Sequence, residues 1–247
     1  MGAVHGVHLK YAAMSAMAAT AAVSWQNRTD ASMATPSLFD SAVLYFLWYC
    51  AALHALITGL FISRTGEWII GKRPSTGVVP LWSFVVFAPF HFPTWLYTLV
   101  HHQLSEVPVA SEVVPGWWIG GRYARALGNR RWAATIDLTV EFSEGCRDTS
   151  DSYLLLPCWD GVPPSPKGIE RAARLAAEAS SRGDVMVHCA HGRGRSTCVM
   201  VACLVKAGLY SQWEDAFEEC RKRRKGVKLN GKMRRALDEW QNSFGRF

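Results

Sequence analysis

The residues best suited to chemistry lie between His188 and Ser196, where Cys189 and Arg195 stand six positions apart. A short apolar run precedes this segment, and an apolar, helix-like run follows it. A glycine-rich loop between a strand and a helix binds anions, because its N–H groups point inward and the helix dipole adds positive charge. A cysteine at the floor of such a loop ionises below its ordinary pKa of about 8.5. The segment therefore predicts a thiolate under a bound phosphate, with Arg195 closing over the phosphate oxygens.

This segment resembles the signature of the cysteine-based protein phosphatases, which is His-Cys, five residues, Arg, and then Ser or Thr. His188, Cys189, Arg195 and Ser196 match it position by position. The short spacing and small domain are similar to the dual-specificity branch, and the resemblance covers roughly residues 115–240. It implies that Ser196 stabilises the departing thiolate and that His188 orders the loop from below. The phosphate-binding residues that it implies are Ala190, His191, Gly192, Arg193, Gly194 and Arg195.

A phosphatase of this type needs a general acid, because the leaving alcohol or phenol must receive a proton. An apolar strand runs into the Pro/Gly-rich loop 157–164, which carries one carboxylate, Asp160. Dual-specificity phosphatases place their acid aspartate on a loop of this kind, so the resemblance assigns that role to Asp160. The alternative is an ordinary turn aspartate. Asp137 is the competing carboxylate, and its position inside a strand pattern favours a structural role.

We expect a two-step mechanism that needs neither metal nor cofactor. Cys189 attacks phosphorus to form a cysteinyl-phosphate, which water then hydrolyses. His188, Cys189 and His191 have side chains of the zinc-binding types, but a structural zinc site needs four ligands. A fourth ligand at a suitable spacing is absent from the sequence, which therefore predicts no metal site.

The two halves of the chain differ in charge, since residues 1–100 hold 5 Lys/Arg and 3 Asp/Glu while the rest holds 22 and 17. The uncharged run from Ser41 to Ile62 is long enough to cross a hydrocarbon core of ~30 Å. Residues 78–100 are also uncharged but contain three prolines, so they form a kinked span or a re-entrant or interfacial segment. We expect a tail or targeting segment (1–38), a membrane region with one or two transmembrane helices (39–100), a linker (101–114) and a catalytic domain (115–247).

The sequence leaves the membrane topology open. If both apolar segments span, the loop 63–77 lies across the membrane from the catalytic domain. Positive charge on that loop and a reduced thiolate both favour the cytoplasmic side, so the two conflict. The conflict disappears if the second segment returns to the same face. Seven cysteines, an odd number, do not suggest a disulfide framework. We therefore expect a multi-pass or hairpin-anchored membrane protein whose catalytic domain faces a reducing compartment.

Alternating strand and helix patterns in the second half predict an α/β fold with a twisted central sheet and helices on both faces. An α-helical membrane region precedes it. Residues 167–182 form an Ala-rich helix with Ile169, Ala173 and Ala176 on one face. Ser211 and Glu214 form a capping-box pattern at the start of a later helix. The resemblance implies a dual-specificity phosphatase-like arrangement of these elements.

The leading hypothesis is a membrane-anchored phosphatase that acts on phosphotyrosine and phosphoserine/threonine proteins. The alternatives are a phospholipid or phosphoinositide phosphatase with the same chemistry, and a phosphate-binding pseudophosphatase scaffold. We expect His191 and Arg193 to raise the positive potential of the loop, which suits charged headgroups. Phosphoinositide-selective relatives, however, usually carry lysines in this loop, and here it has none.

The densest basic run is Arg221–Lys225. It is compatible with a solvated helix end or with attraction to anionic membrane lipid or acidic substrates. It lacks the interleaved aromatic residues of nucleic-acid-binding segments, so we expect no nucleic-acid partner.

Overall fold

The computed structural model describes residues 6–32, 35–128 and 130–244. Its helices, in chain order, are α1 (Val7–Ala31), α2 (Leu38–Ser63), α3 (Leu81–Val86), α4 (Ala88–Gln103), α5 (Pro166–Ser180), α6 (Arg195–Lys206), α7 (Trp213–Arg223) and α8 (Gly231–Phe244). Its strands are β1 (Ala110–Val114), β2 (Trp117–Gly120), β3 (Trp132–Thr139), β4 (Ser150–Cys158) and β5 (Val185–His188).

Helices α1 and α2 form an antiparallel hairpin. Trp25 packs on Phe39 near the turn, and Tyr11 packs on Phe61 at the opposite end. Much of the predicted N-terminal tail is therefore helical, although its residues 1–5 and 33–34 lie outside the described residues. A capping box of Ser37 and Asp40 starts α2.

Helix α2 is long and apolar enough, by length and composition, to cross a membrane. Only 22% of its most apolar 18-residue stretch is buried. Its 26 residues correspond to a length of about 39 Å. Large apolar side chains stand exposed along it, and they include Phe39, Tyr45, Phe46, Leu56 and Ile62. Contiguous apolar surface of this kind marks contact with lipid or with another protein.

Helices α3 and α4 divide the second apolar segment, and α4 lies along the catalytic domain. Phe90, near the start of α4, contacts Trp159, and His102, near its end, stacks on Tyr123. Because both ends of α4 touch the same domain, this segment runs along that domain instead of leading away from it. The outer faces of α3 and α4 carry exposed apolar side chains at Leu81, Val85, Phe92, Trp95 and Val100.

The central sheet has five strands in the order β1-β2-β5-β3-β4, with β1 antiparallel to β2 and the other pairs parallel. The sheet begins at Ala110, five residues before the expected start of the catalytic domain. Strand β1 lies within the segment expected to be a linker, and it pairs with β2. Strand β5 lies in the middle of the sheet. The loop that follows it therefore opens at the carboxyl ends of parallel strands, where ligands bind in such sheets.

Helices α5 and α6 contact each other and the sheet, so they cover the same face. The expected face of α5, with Ile169, Ala173 and Ala176, is fully buried there. On the opposite face, Met186 packs with Ala124 and Cys146, which lie in connecting segments. Ala124 belongs to a short 3-10 helix, Ala124–Leu127.

Helix α7 begins after Gln212, and Ser211 is not its cap. Instead, the Trp213 N–H donates to Gln241 Oε1 of α8 at 2.9 Å. The predicted capping box is wrong because a tertiary contact satisfies the first turn.

The loop between α2 and α3 packs on the sheet. The Glu144 N–H donates to Gly77 O at 2.9 Å, and Arg147 Nε donates to Ser75 O at 3.1 Å. The basic loop 63–77 and the catalytic domain therefore lie at the same end of the helical hairpin.

Candidate active site

Cys189 lies directly after β5, and its Sγ is 3.4 Å from Ser196 Oγ in the first turn of α6. The residue is only 3% exposed, and this burial opposes ionisation. The Arg195 guanidinium, the Ser196 hydroxyl and the N–H groups of Ser196 and Arg193 outweigh that effect and hold the pKa of the Cys189 thiol below its ordinary value. A strand end, a glycine-rich turn and a helix N-terminus thus form the cradle (residues 189–195) expected from the sequence.

Gly192 sets the shape of this cradle, with φ at +67° and no room for a side chain. A Cβ there would lie 2.7 Å from the backbone of Gly120. Arg224 holds the loop from the opposite side, since its Nε donates to Gly192 O at 2.7 Å and its Nη2 to His191 O at 3.2 Å. Arg224 is buried, so one member of the basic run supports the site and does not face solvent.

The other members of that run are paired at the surface. Arg221 bonds to Glu218, and both Lys222 and Arg223 bond to Glu219 within α7. These contacts are typical of a solvated helix end.

Arg195 is fully buried, and Glu141 fixes its orientation. The two side chains form a bidentate pair, with Nη2–Oε1 at 2.7 Å and Nη1–Oε2 at 3.1 Å. Nη1 also donates to Cys158 O at 2.8 Å. The remaining Nε donor has no partner among the described residues, which leaves it available to a phosphate oxygen.

Asp160 reaches the same cleft, with its Oδ1 3.4 Å from Arg195 Nη2 and about a third of its side chain exposed (36%). Burial raises the pKa of this carboxyl. The Arg195 charge offsets part of the rise, and the Glu141 carboxylate adds to it. A raised pKa keeps a carboxylic acid protonated for longer as pH rises, which is what a general acid requires.

The loop that carries Asp160 is anchored on both sides. Trp159 is buried against Phe61 of α2, and its Nε1 donates to Thr65 O at 2.9 Å. On the other side, Asn230 Nδ2 donates to Gly161 O at 2.7 Å. Helix α2 and the residues directly after it therefore hold this loop in place.

The side chains of His191 and Arg193 differ from the expectation that both charge the cradle. His191 packs against Tyr97 and His101 of α4, and burial together with the nearby cations lowers its pKa to about 3. It is therefore neutral at pH 7. Arg193 turns outward, donating to His101 Nε2 at 3.0 Å and to Ser105 Oγ at 3.3 Å. Neither side chain delivers its charge to the phosphate position as expected.

His188 belongs to a buried charge network beneath the cradle. Its Nε2 lies 2.5 Å from Glu144 Oε2 and 3.9 Å from Asp137 Oδ1, as an ion pair and not as a well-aligned hydrogen bond. Although burial opposes it, the Glu144 and Asp137 carboxylates raise the pKa of His188 to about 9. The charged imidazole thus lies at the end of β5, directly before Cys189 in the chain.

Three side chains of this network, those of Asp137, Glu144 and His188, are of types that also bind metal ions. Their ligand atoms lie within 4.8 Å of one another. Lys72 Nζ already occupies this place, 2.5 Å from Asp137 Oδ2 and 2.7 Å from Thr139 Oγ1. Its ammonium group supplies the positive charge that a metal ion would supply. The cluster therefore fits an internal ion-pair network better than a metal site.

Part of the chain that forms this site also matches a known protein family. Residues 167–243 match the family model described as dual specificity phosphatase, catalytic domain. Residues 167–243 are therefore similar to the catalytic domain of the dual-specificity phosphatases. The domain that contains these residues has the mixed fold described above, and it follows the N-terminal helical region that includes α2.

Three solved structures align with 55–56% of this chain. Human DUSP28 is 18% identical, with a TM-score of 0.46, over 56% of this chain and 97% of that one. Tk-PTP in its active form is 22% identical, with a TM-score of 0.47, over 55% and 97%. PTPMT1 in complex with PI(5)P is 19% identical, with a TM-score of 0.46, over 55% and 96%.

The N-terminal helices line the mouth of the cleft in the phosphatase-like domain. Lys10 of α1 lies over the ring of Tyr97, 4.8 Å from its centroid, and its charge lowers the pKa of Asp160. A small cavity beside Asp160 and His191 is lined by α1 and α4 as well as by the phosphatase-like domain. The helical region is therefore part of the wall of the site.

Sequence reasoning missed four residues that the structure brings to the site: Glu141, Lys72, Arg224 and Lys10. Glu141 carried a usable signal, because it is an acid at the carboxyl end of a buried strand next to the cradle strand. Lys10 and Lys72 carried none, since their roles depend on how the N-terminal helices dock.

Proposed function

We propose that the chain is a membrane-anchored phosphoric monoester hydrolase that works through a cysteinyl-phosphate on Cys189. The observation that carries the proposal is the meeting of two oppositely tuned groups in one cleft. The pKa of the Cys189 thiol is lowered, and that of the Asp160 carboxyl is raised. Both shifts have the direction that nucleophilic attack with leaving-group protonation requires, because a lower thiol pKa favours the thiolate and a higher carboxyl pKa favours the protonated acid.

In the first step, the Cys189 thiolate attacks phosphorus while the bond from phosphorus to the ester oxygen breaks. Asp160 gives its proton to that oxygen, so the alcohol or phenol leaves neutral. Arg195, held by Glu141, and the cradle amides stabilise the charge on the three remaining phosphate oxygens.

In the second step, water attacks phosphorus and the sulfur–phosphorus bond breaks. The Asp160 carboxylate takes the proton of the attacking water, which restores the acid. The Ser196 hydroxyl, 3.4 Å from the sulfur, stabilises the thiolate as it departs. Inorganic phosphate is then released.

Anchoring through the hairpin of α1 and α2 is supported by its distribution of charge. Between Lys10 and Arg28, and between Asp40 and Arg64, the two helices carry no Lys, Arg, Asp or Glu. The charged residues therefore lie at the two ends of the hairpin, as in segments that cross a bilayer. The catalytic domain lies at the Lys10 and Arg64 end, and its free thiols favour a reducing compartment on that side.

Among the substrate classes, the surroundings of the cleft favour a lipid phosphate over a phosphoprotein. The mouth is bordered by α4, whose outer face is apolar and exposed. A lipid phosphate can reach such a mouth from the bilayer surface, whereas a folded phosphoprotein would have to insert between the bilayer and the domain. Lys10 also adds positive charge next to Asp160, although the cradle itself lacks lysine.

The test uses the purified full chain in detergent with a soluble aryl phosphate. Cys189→Ser should lower turnover more than about 10³-fold, and Asp160→Asn should lower kcat by about 10²–10⁴-fold. Cys50→Ser, which changes a thiol in α2, is the matched control and should retain activity. Wild-type turnover by Cys189→Ser would overturn the mechanism. Phosphate binding without turnover by the wild type would favour the scaffold.

The substrate class is tested by trapping. An Asp160→Ala chain is offered phosphotyrosine and phosphoserine peptides and, separately, phosphatidylcholine vesicles that contain phosphatidic acid. We expect retention on the vesicles that contain phosphatidic acid and not on plain phosphatidylcholine vesicles. Retention of peptides alone would restore the phosphoprotein hypothesis.

A further inference from the structure

A large groove separates α3 and α4 from the catalytic domain. Its volume is about 890 Å³, which is in the range of pockets for lipid- or drug-sized ligands. One wall is built from aromatic side chains of the helical region, Phe84, Phe92 and Trp95. These same side chains belong to the exposed apolar surface of α3 and α4, so the groove is continuous with that surface.

The opposite wall combines two arginines with two carboxylates, of which Glu141 pairs with Arg195 and Glu144 pairs with His188. Arg122 and Arg125 line the groove, and the Arg122 guanidinium lies 3.9 Å from the centroid of the Phe142 ring. The Nη1 atom of Arg122 is buried and has no hydrogen-bond partner among the described residues. A buried guanidinium donor without a partner is costly, and an anionic oxygen would satisfy it.

The groove adjoins the cradle at this charged end. The Arg122 N–H donates to Ala190 O at 3.0 Å, which places the arginine directly beside the loop that carries Cys189. Glu141, which orients Arg195, lines both the groove and the small cavity next to Asp160. A molecule in the groove would therefore have its charged end next to the cradle.

We propose that this groove binds the membrane lipid on which the cradle acts, with acyl chain against the α3–α4 aromatic residues and an anionic headgroup oxygen on Arg122. The proposal rests on the proposed function. The occupant follows from the combination of features, because a groove with an aromatic wall opens toward the exposed apolar side chains of α3 and α4 and ends at Arg122, beside the phosphate cradle. Soluble phosphoesters and peptides would match the charged end but leave the aromatic wall exposed.

The first experiment compares two substrates on the same variants. Arg122→Gln removes the charge, and Ala126→Trp fills the groove from the catalytic-domain side. The measured quantity is the ratio of kcat/KM on vesicles containing phosphatidic acid to kcat/KM on a soluble aryl phosphate. We expect this ratio to fall about tenfold or more in both variants, which corresponds to about 1.4 kcal/mol. Arg171→Gln, on the exposed side of α5, is the matched control and should leave the ratio unchanged.

A fall of both activities together, with the ratio constant, would overturn the proposal, because it would indicate a disturbed cradle and not a lost lipid site. An unchanged ratio in Ala126→Trp would also overturn it.

The second experiment does not depend on turnover. A Cys189→Ser chain is photo-crosslinked with phosphatidic acid that carries a diazirine on its acyl chain, and the labelled peptides are identified by mass spectrometry. Label on α3–α4 and the segment around Ala126 supports the groove, whereas label spread over α1 and α2 alone contradicts it. Failure of aryl phosphate hydrolysis by the wild type would refute the proposed function and leave this binding result readable on its own.

Discussion

Lys72, in the loop after α2, and Asp137, in β3, form an ion pair in which both side chains are fully buried, with Nζ 2.5 Å from Oδ2. Tyr153 also donates to the same Asp137 oxygen at 2.9 Å. Asp137 also lies 3.9 Å from His188, the residue that precedes Cys189. A residue from the helical N-terminal half is therefore part of the interior of the catalytic domain.

Removal of this lysine should destabilise the protein strongly. Lys72→Met leaves the Asp137 carboxylate buried without its partner, which costs about 3–5 kcal/mol. Thermal unfolding in detergent, followed by near-UV circular dichroism, measures the loss. Lys225→Met, which breaks an exposed pair with Glu106, should change stability by less than about 1 kcal/mol. Equal effects of the two substitutions would show that the buried Lys72–Asp137 pair contributes no more to stability than the exposed Lys225–Glu106 pair.

Neutralising Glu141 should change the pH profile as well as the rate. Its carboxylate raises the pKa of Asp160, so Glu141→Gln lowers that pKa and moves the alkaline limb of kcat/KM to lower pH. Loss of the bidentate contact also misplaces Arg195, which should lower kcat/KM by about 10²-fold. Steady-state kinetics over pH 4–9, roughly the range between the ordinary pKa values of aspartate and cysteine, measures both the position of the alkaline limb and the rate. A lower rate with an unmoved alkaline limb would mean that Glu141 acts only on Arg195.

Neutralising Lys10 should move the same limb in the opposite direction. The Lys10 charge lowers the pKa of Asp160, so Lys10→Met raises that pKa and extends activity to higher pH. Lys10→Arg keeps the charge and should keep the wild-type limb. The measurement also tests the docking of α1, because a chain in which α1 lies away from the cleft would show no shift.

Protonation of His188 should contribute to stability over a defined pH range. Its pKa is raised from 6.5 to about 9 in the folded protein, so the folded state binds the proton more tightly than the unfolded state. The stabilisation is fully present below pH 6.5 and is lost as pH rises through about 9. The midpoint of thermal unfolding should therefore fall over this interval in the wild type and fall less in His188→Gln. Parallel pH dependence in both proteins would contradict the charged state of His188.

The patterns that the sequence predicts well are local. The cradle from Cys189 to Arg195 depends on a strand end, a glycine-rich turn and a helix start, which are contiguous in the chain. The Ala-rich face of α5 and the strands around it follow from periodicity in the same way. Asp160 was assigned by resemblance, and the structure brings it to within 3.4 Å of Arg195.

The expectations that changed depend on long-range packing. His191 was expected to carry charge, but α4 packs over it and lowers its pKa to about 3. Arg193 was expected to face the phosphate, but His101 and Ser105 at the end of α4 draw its guanidinium outward. In both cases a segment about ninety residues away decides the state of the side chain.

By itself the sequence determined the reactive segment, because the backbone geometry of a phosphate cradle is encoded within eight consecutive residues, His188 to Arg195. It also determined that the first half is apolar. Only the tertiary structure decided that α1, α4 and the Lys72 loop line and brace the active site. The physical reason is that charge pairing and burial depend on distance in space, and no pattern along the chain records which distant segments meet.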